Sequence, residues 1–304
     1  MNQLSNRRFA GRALFFVICL AAFPLKLQAT ERGLAAYADG AQNFFCGVFP
    51  PPGFYFQDTV FYYSADDFRG TVEGIPADFK GFANVFSYIY SSDTELWGGN
   101  WGYRIGFPLT YFSVSAKRQP LSFNDFGVGN SSFAPFVLGY HFGDYHLTPA
   151  FTIIFPGAWD ASNFASPSQN YYTFQPGFGA AWMPKSGFGI NMFFMYDFPT
   201  KNTDPLPPAV SSYQSGQAFH FDYCVDYAFR PNLRAGFAGF YYVQTTSDFR
   251  DGQNIGFRGR QFAVGPAVKY DHGRLSVSYI ANFEMDTAFR PDGVRNWLNV
   301  VYAF

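Results

Sequence analysis

Large apolar side chains alternate with small or polar ones along several stretches of the chain. In the clearest stretch, residues 217–229, every odd position from Phe219 to Phe229 is apolar or aromatic, and every even position is small or polar. Alternation with period two indicates a β-strand with one apolar and one polar face. The stretch is about twelve residues long, whereas strands of soluble proteins average about five to six. A strand of this length is able to cross a bilayer at a tilt.

The same alternation recurs and predicts about twelve strands, an even number as single-chain bacterial outer-membrane barrels have. Segments 54–63 and 80–91 alternate least regularly. The predicted strands start near residues 54, 80, 99, 131, 145, 171, 187, 217, 233, 259, 274 and 295.

The links between these segments alternate between short and long. Short links rich in turn-forming residues fall at 143–144, 184–186, 230–232 and 271–273. Longer links fall at 64–79, 113–130, 157–170, 198–216, 246–258 and 284–294. Outer-membrane barrels have short periplasmic turns and longer outer loops. The pattern therefore predicts an all-β fold, a transmembrane antiparallel up-and-down β-barrel of about 12 strands of the outer-membrane type.

The N-terminal region predicts export. Arg7, Arg8 and Arg12 precede a short apolar stretch at 13–20, and Leu27-Gln28-Ala29 forms a cleavage site. We expect residues 1–29 to be a cleaved signal peptide and residues 54–304 to form the barrel. Between them, residues 30–53 form a periplasmic or lumenal segment that we expect to fold into the barrel as a partial plug. The predicted location is the outer membrane of a Gram-negative bacterium.

The last eight residues form a further apolar strand that ends on an aromatic residue. Leu298, Val300, Tyr302 and Phe304 lie on one face of this strand, and Trp297 lies on the other. Outer-membrane barrels end in this way because the barrel assembly machinery recognises a C-terminal strand with a terminal aromatic residue. We therefore predict that Trp297, Tyr302 and Phe304 form the assembly signal.

Composition supports a membrane barrel. Aromatic residues make up 22% of the chain and charged residues only 14%, whereas soluble proteins carry about 25% charged residues. No apolar run after residue 29 is long enough for a transmembrane helix. The net charge is −1 without a basic block, so nothing predicts nucleic acid as a partner. The expected surroundings are outer-membrane lipid and lipopolysaccharide.

Polar and charged residues on the predicted inner wall are the candidate pathway residues. They carry both signs of charge, so pairs across the lumen are expected. Two interpretations stay open, a mixed-polarity pathway for small solutes and a hydrated lining held by structural ion pairs. The candidates are Arg104, His141, His146, Gln175, Asn191, His220, Asp222, Asp226, Arg234, Gln244 and Lys269.

The sequence gives little support for catalysis. A lipid-modifying barrel needs a serine and a histidine on the lipid-facing wall. His141, His146 and His220 fall on predicted lumen faces, and His272 falls in a short turn. The chain has no phosphate-binding loop, no CxxC pair and no zinc-ligand spacing. We therefore predict no catalytic residues, no metal and no cofactor.

Two cysteines follow the predicted cleavage site. Cys224 lies on a predicted lumen face, and Cys46 lies in the N-terminal segment. The periplasm is oxidising and permits a disulfide. One hypothesis is a Cys46–Cys224 disulfide that pins the segment in the lumen, and the alternative is two free thiols.

Eight stretches of the chain carry a family resemblance, namely 50–55, 61–65, 170–176, 195–202, 215–223, 239–246, 265–271 and 297–304. They resemble a family of SphA-like outer-membrane transporters named for the meta-cleavage pathway of phenol degradation. The resemblance covers nearly all of the predicted mature chain. It implies an outer-membrane channel or transporter that takes up small hydrophobic or aromatic, phenol-like compounds passively through the barrel. Two alternatives stay open, a closed barrel with a structural or envelope-maintenance role and an outer-membrane lipid-modifying enzyme.

Overall fold

The computed structural model describes residues 30–69, 76–117, 120–207, 209 and 211–304. The predicted signal peptide lies outside this range. Within it, no helix combines the length and the apolarity that a membrane-crossing helix requires. The strands are β1 (Gly53–Arg69), β2 (Ala77–Leu96), β3 (Gly99–Ala116), β4 (Ser122–Val128), β5 (Ser131–Phe142), β6 (Tyr145–Phe155), β7 (Thr173–Trp182), β8 (Phe188–Pro199), β9 (Tyr213–Gln214), β10 (Ala218–Arg230), β11 (Leu233–Gln244), β12 (Phe249–Arg250), β13 (Gln253–Asn254), β14 (Arg260–His272), β15 (Leu275–Ala288) and β16 (Arg290–Ala303).

Twelve of these strands form a closed antiparallel barrel. Strand β1 pairs with β2 on one side and with β16 on the other, so the sheet has no free edge at the closure. Strand β4 pairs with the last half of β3 and precedes β5, which pairs with the first half. Strands β9, β12 and β13 form a separate small sheet. The predicted twelve-stranded barrel is confirmed.

Three of the predicted long links are wrong in extent. In the predicted link 64–79, β1 continues to Arg69 and β2 begins at Ala77. In the predicted link 113–130, β3 continues to Ala116 and β4 occupies Ser122–Val128. In the predicted link 284–294, only Phe289 separates β15 from β16. These stretches are rich in polar residues and do not alternate, so they resembled loops. The backbone ladder nevertheless continues through them. Alternation is required only where one face meets lipid.

The outer wall is apolar and the inner wall is mixed. Phe237 on β11 is 62% exposed on the outer face, whereas its neighbour Ala238 is buried on the inner face. A single-residue alternation of this kind is expected of a strand between lipid and lumen. Segment 54–63 alternates poorly because its inner positions Phe61 and Tyr63 are also aromatic and are buried.

The two ends of the barrel differ in their connections. The short-turn rim carries the links 97–98, 143–144, 183–187, 231–232 and 273–274. The long-loop rim carries 156–172, 200–217 and 245–259, among other connections. This alternation follows the predicted one, and we expect the short-turn rim to face the periplasm.

Candidate functional site

The N-terminal segment, residues 30–52, runs through the barrel from the long-loop rim to the short-turn rim. At the long-loop rim the Arg32 guanidinium donates hydrogen bonds to the carbonyl oxygens of Ser166 (2.6 Å) and Ser168 (2.5 Å). Near the other rim the Thr148 hydroxyl donates to the Gly47 carbonyl oxygen at 2.9 Å. The segment has no strand within it, so its backbone groups are paired by local turns, such as the bond from the Cys46 amide to the Asn43 carbonyl oxygen, and by side chains of the wall.

A buried ion-pair cluster centred on Asp39 ties the middle of the segment to the wall. The Asp39 carboxylate lies 2.7 Å from the Arg290 guanidinium and 3.1 Å from Nδ1 of His220. Arg295 donates to the Asp39 carbonyl oxygen at 2.9 Å. On its other side, Nε2 of His220 lies 3.2 Å from the Asp197 carboxylate. A buried charge is tolerated only when it is paired in this way.

Asp222 holds the backbone of the same part of the segment. Its carboxylate accepts hydrogen bonds from the backbone amides of Gly40 (2.8 Å) and Gln42 (2.9 Å) and from the Tyr37 hydroxyl (3.0 Å). Gly40 has a φ of +87°, and a Cβ there would lie 2.5 Å from the Asn282 amide nitrogen. Both facts favour glycine at this turn.

Buried carboxylates also join the segment to the long loops. The Glu31 carboxylate accepts hydrogen bonds from the Asn202 side chain (2.7 Å) and the Leu206 amide (2.9 Å). Burial raises the pKa of Glu31. In the next loop, Asp248 accepts from the Tyr213 hydroxyl at 2.6 Å, and burial raises its pKa to about 6.

A cavity of about 240 Å³ remains beside the segment. Its wall comes mainly from β1, β2, β3, β5, β6 and β16, with contributions from β7 and loop 156–172, and the segment borders it as well. Phe61, Val85, Pro108 and Ile154 give this wall a largely apolar surface, and Arg104 adds a charge. The segment therefore fills part of the lumen and leaves space beside it.

The structure places the eleven candidate pathway residues at inward positions of their strands. His220 and Asp222 contact the segment, as described above. Gln175 donates to Asp197 at 2.8 Å. The remaining ion pairs and hydrogen bonds are Asp226 with Arg234 and Asn191, Lys269 with Asp271, and Gln244 with Asp248.

Three of the candidate residues lie apart from these contacts. His141 and His146 face each other near the short-turn rim, with their Nδ1 atoms 2.7 Å apart. Among the described residues, no group of three or more side chains is arranged to hold a metal ion. Arg104 borders the cavity and forms no hydrogen bond or ion pair with any residue that the structure describes.

Three charged residues of the ion-pair cluster were not among the predicted pathway residues. Asp39 lies in the segment, and Glu284 and Arg290 lie in a stretch that was predicted to be a link. Glu284 pairs with Arg295 at 2.5 Å. A cluster of charges within 284–295 was the available signal, but a charged stretch is equally typical of an exposed loop.

The remaining predicted residues occupy different surroundings. Cys46 and Cys224 are both free thiols, so the structure contains no disulfide between them. Trp297 points inward and packs on Phe61, with ring centroids 4.3 Å apart. Tyr302 and Phe304 are exposed on the outer face. The assembly signal itself stays a prediction.

Residues 63–300 match the model of a family whose description reads "Putative MetA-pathway of phenol degradation". The chain belongs to this family. No curated protein matches it in sequence. Membership confirms the family resemblance and agrees with the barrel that the structure shows.

Solved structures show the same fold. The barrel is similar to the COG4313 outer membrane channel from Pseudomonas putida F1, with a TM-score of 0.74 and 11% identity over 85% of this chain and 97% of that one. It is also similar to the transport unit of the autotransporter AIDA-I from Escherichia coli, with a TM-score of 0.54 and 8% identity over 84% and 91%. The translocator domain of NalP from Neisseria meningitidis gives a TM-score of 0.53 and 10% identity over 84% and 90%. The fold is therefore that of an outer-membrane β-barrel.

Proposed function

We propose that the protein is an outer-membrane channel or transporter through which small hydrophobic or aromatic, phenol-like compounds pass without energy input. The observation that carries the proposal is the largely apolar cavity between the N-terminal segment and the wall. Family membership and the similarity to an outer membrane channel support it. On this proposal the chain is exported by its signal peptide and lies in lipid and lipopolysaccharide.

The size of the cavity suits a small solute. Sites for drug-sized ligands span roughly 300–1,000 Å³, and the cavity lies below that range at about 240 Å³. A single aromatic ring fits such a space, and the rings of Phe61 and Phe112 at its border offer stacking surfaces. Outer lipopolysaccharide is a poor solvent for apolar compounds, so a protein route is useful to them.

The N-terminal segment acts as a partial plug in this proposal. It contacts the wall from one rim to the other, and the Asp39 cluster fixes its middle. Hydrated inorganic ions and large hydrophilic molecules are therefore excluded while a small solute uses the remaining space. The segment makes many polar contacts on one side of the lumen and leaves its small alanine side chains facing the cavity.

Uptake of radiolabelled phenol into vesicles with lipopolysaccharide in the outer leaflet tests the proposal. We expect uptake to be several-fold faster with the protein than without it. Ser132→Phe, which adds a ring at the cavity wall, should abolish most of this increase. Ser131→Phe places the same ring on the neighbouring position of β5, which faces away from the lumen, and should have little effect. Equal uptake with and without wild-type protein would contradict the proposal.

A closed structural barrel is the second candidate, and the rim-to-rim segment favours it. It predicts neither phenol uptake nor ion conductance in a planar bilayer. An enzymatic role is less well supported, because His220 is held between Asp39 and Asp197 inside the lumen. A lipid-modifying enzyme would turn over phospholipid and lose that activity in one of its histidine variants.

A further inference from the structure

Arg104 has no polar partner on the inner wall. It lies on β3, where its cross-strand neighbours are Ile89 on β2 and Ala134 on β5. Neither neighbour is able to accept a hydrogen bond through its side chain. No described residue forms a hydrogen bond or an ion pair with the guanidinium, which borders the cavity. Arginine carries five N–H donors and remains charged, so these donors are left for something in the cavity.

The charge around the cavity has one sign. Four arginines border it, Arg32, Arg104, Arg290 and Arg295, and the described residues place no aspartate or glutamate in its wall. Three of these four guanidinium groups have hydrogen-bond or ion-pair partners among the described residues. The carbonyl oxygens of loop 156–172 accept from Arg32, and carboxylates outside the cavity wall pair with Arg290 and Arg295.

The group that faces Arg104 from the segment does not neutralise it. Tyr37 of the segment borders the same cavity as Arg104. Its hydroxyl already donates to Asp222 at 3.0 Å. A neutral phenol cannot balance a guanidinium, and a cation in an apolar enclosure is costly unless an anion joins it. The free positive charge therefore lies at the apolar cavity itself.

We infer that the cavity binds a small organic anion, a carboxylate attached to an aromatic or short aliphatic body. The carboxylate pairs with the planar fork of Arg104, which matches its two oxygens. The body of the ligand lies against the apolar wall that includes Phe61, Val85 and Ile154. This inference rests on the proposed function and narrows its solute from phenol-like compounds in general to those that carry an acidic group.

Benzoate and benzyl alcohol are suitable probes because they share a ring and differ in charge. Calorimetric titration of the purified protein in an uncharged detergent at pH 7.5 measures both affinities. We expect benzoate to bind at least tenfold more tightly than benzyl alcohol. Arg104→Gln should weaken benzoate binding at least tenfold and leave benzyl alcohol unchanged. Arg104→Lys keeps the charge and should retain part of the preference.

Arg230→Gln is the matched control. Arg230 is exposed at the short-turn end of β10, outside the cavity wall. The variant removes the same charge from the barrel, so unchanged benzoate binding would show that Arg104 acts locally and not through net charge. Excess chloride in the titration should compete only weakly, because chloride has no apolar body.

Three results would overturn the inference. They are equal binding of the two probes to the wild type, benzoate binding that Arg104→Gln leaves intact, and no binding of either probe. The wild-type comparison needs no variant, so misfolding of Arg104→Gln would not obscure the answer. Phenol uptake into vesicles is measured separately. Uptake without a preference for benzoate would leave the proposed function standing and reject this inference alone.

Discussion

The Asp39 carboxylate and the Arg290 guanidinium lie 2.7 Å apart inside the barrel, although 251 positions separate them in the sequence. Asp39 belongs to the N-terminal segment, and Arg290 begins the last strand. This ion pair therefore fixes an irregular segment to the strand that closes the barrel against β1. Both side chains are buried, so loss of the ion pair should destabilise the bound position of the whole segment.

Replacing Asp39 by asparagine should release the segment. The change leaves Arg290 without its carboxylate partner, and breaking a buried ion pair from one side costs about 3–5 kcal/mol. Cys46 is only partly exposed inside the barrel, so alkylation of the folded protein should be slow. Mass spectrometry should find Cys46 alkylated about tenfold faster in Asp39→Asn. Asp93→Asn, an exposed control, should leave the rate unchanged.

Gly47→Ala should open the barrel to ions. A Cβ at Gly47 would lie 2.3 Å from the backbone carbonyl of Ala180, so the segment and β7 are too close for any side chain. Overpacking of this kind costs about 1–3 kcal/mol. We expect higher conductance in planar bilayers than for the wild type. In the control Gly106→Ala, the nearest atom at 2.7 Å is the Ser132 hydroxyl, which is able to rotate away. Similar conductance in the two variants would argue against the close approach.

The stabilisation that the buried Asp248 side chain gives to the long loops should decrease as the pH rises. Burial raises the pKa of Asp248 from 3.8 to about 6. The folded state therefore binds this proton more tightly than the unfolded state. The resulting stabilisation is complete below about pH 3.8 and is lost as the pH passes through about 6, a difference of up to about 3 kcal/mol.

Hydrogen exchange at the Gly216 amide measures this effect, because that amide donates to Asp248 at 2.7 Å. After correction for the intrinsic rate, its protection should be greater at pH 4.5 than at pH 7.5. Glu31 has a raised pKa as well and contributes with the same sign. Asp248→Asn should reduce the pH dependence without removing it. Greater protection at pH 7.5 would contradict the prediction.

Trp297→Ala should destabilise the barrel from within. The indole is buried and packs on Phe61, and truncating a buried aromatic side chain costs about 3–5 kcal/mol. Denaturant titration in lipid vesicles measures the free energy of unfolding. Trp97→Ala is the control, because Trp97 is 79% exposed and its loss should change stability by less than about 0.5 kcal/mol. Equal effects would place Trp297 outside the packed interior.

Much of the barrel was predictable because lipid imposes a simple rule on each strand. The alternation of Phe219, Phe221 and Tyr223 with His220 and Asp222 depends only on neighbours in the sequence, since lipid lies on one side and lumen on the other. The rule stops applying where a strand leaves the apolar layer. The extension of β1 to Arg69 and the strand β4 were missed for that reason.

The candidate site was predictable only in part. The alternation placed Arg104, His220 and Asp222 on the inner wall, but it did not indicate their partners. Gly40, Gln42 and Asp39 approach that wall because an irregular segment runs through the barrel. An irregular segment produces no periodic pattern in the sequence, so its contacts with wall residues cannot be predicted from neighbouring residues.

The sequence by itself determined the class of the fold, the number of barrel strands and the polarity of each face. These follow from the side-chain period of a strand and from the difference between lipid and water. Only the tertiary structure decided which charges are matched and which are free. Asp39 neutralises Arg290 because the closed barrel brings the segment against β16, and Arg104 has no charged partner among the described residues because the segment leaves a cavity beside it. Pairing of charges depends on distance in space, and closure of the barrel sets those distances.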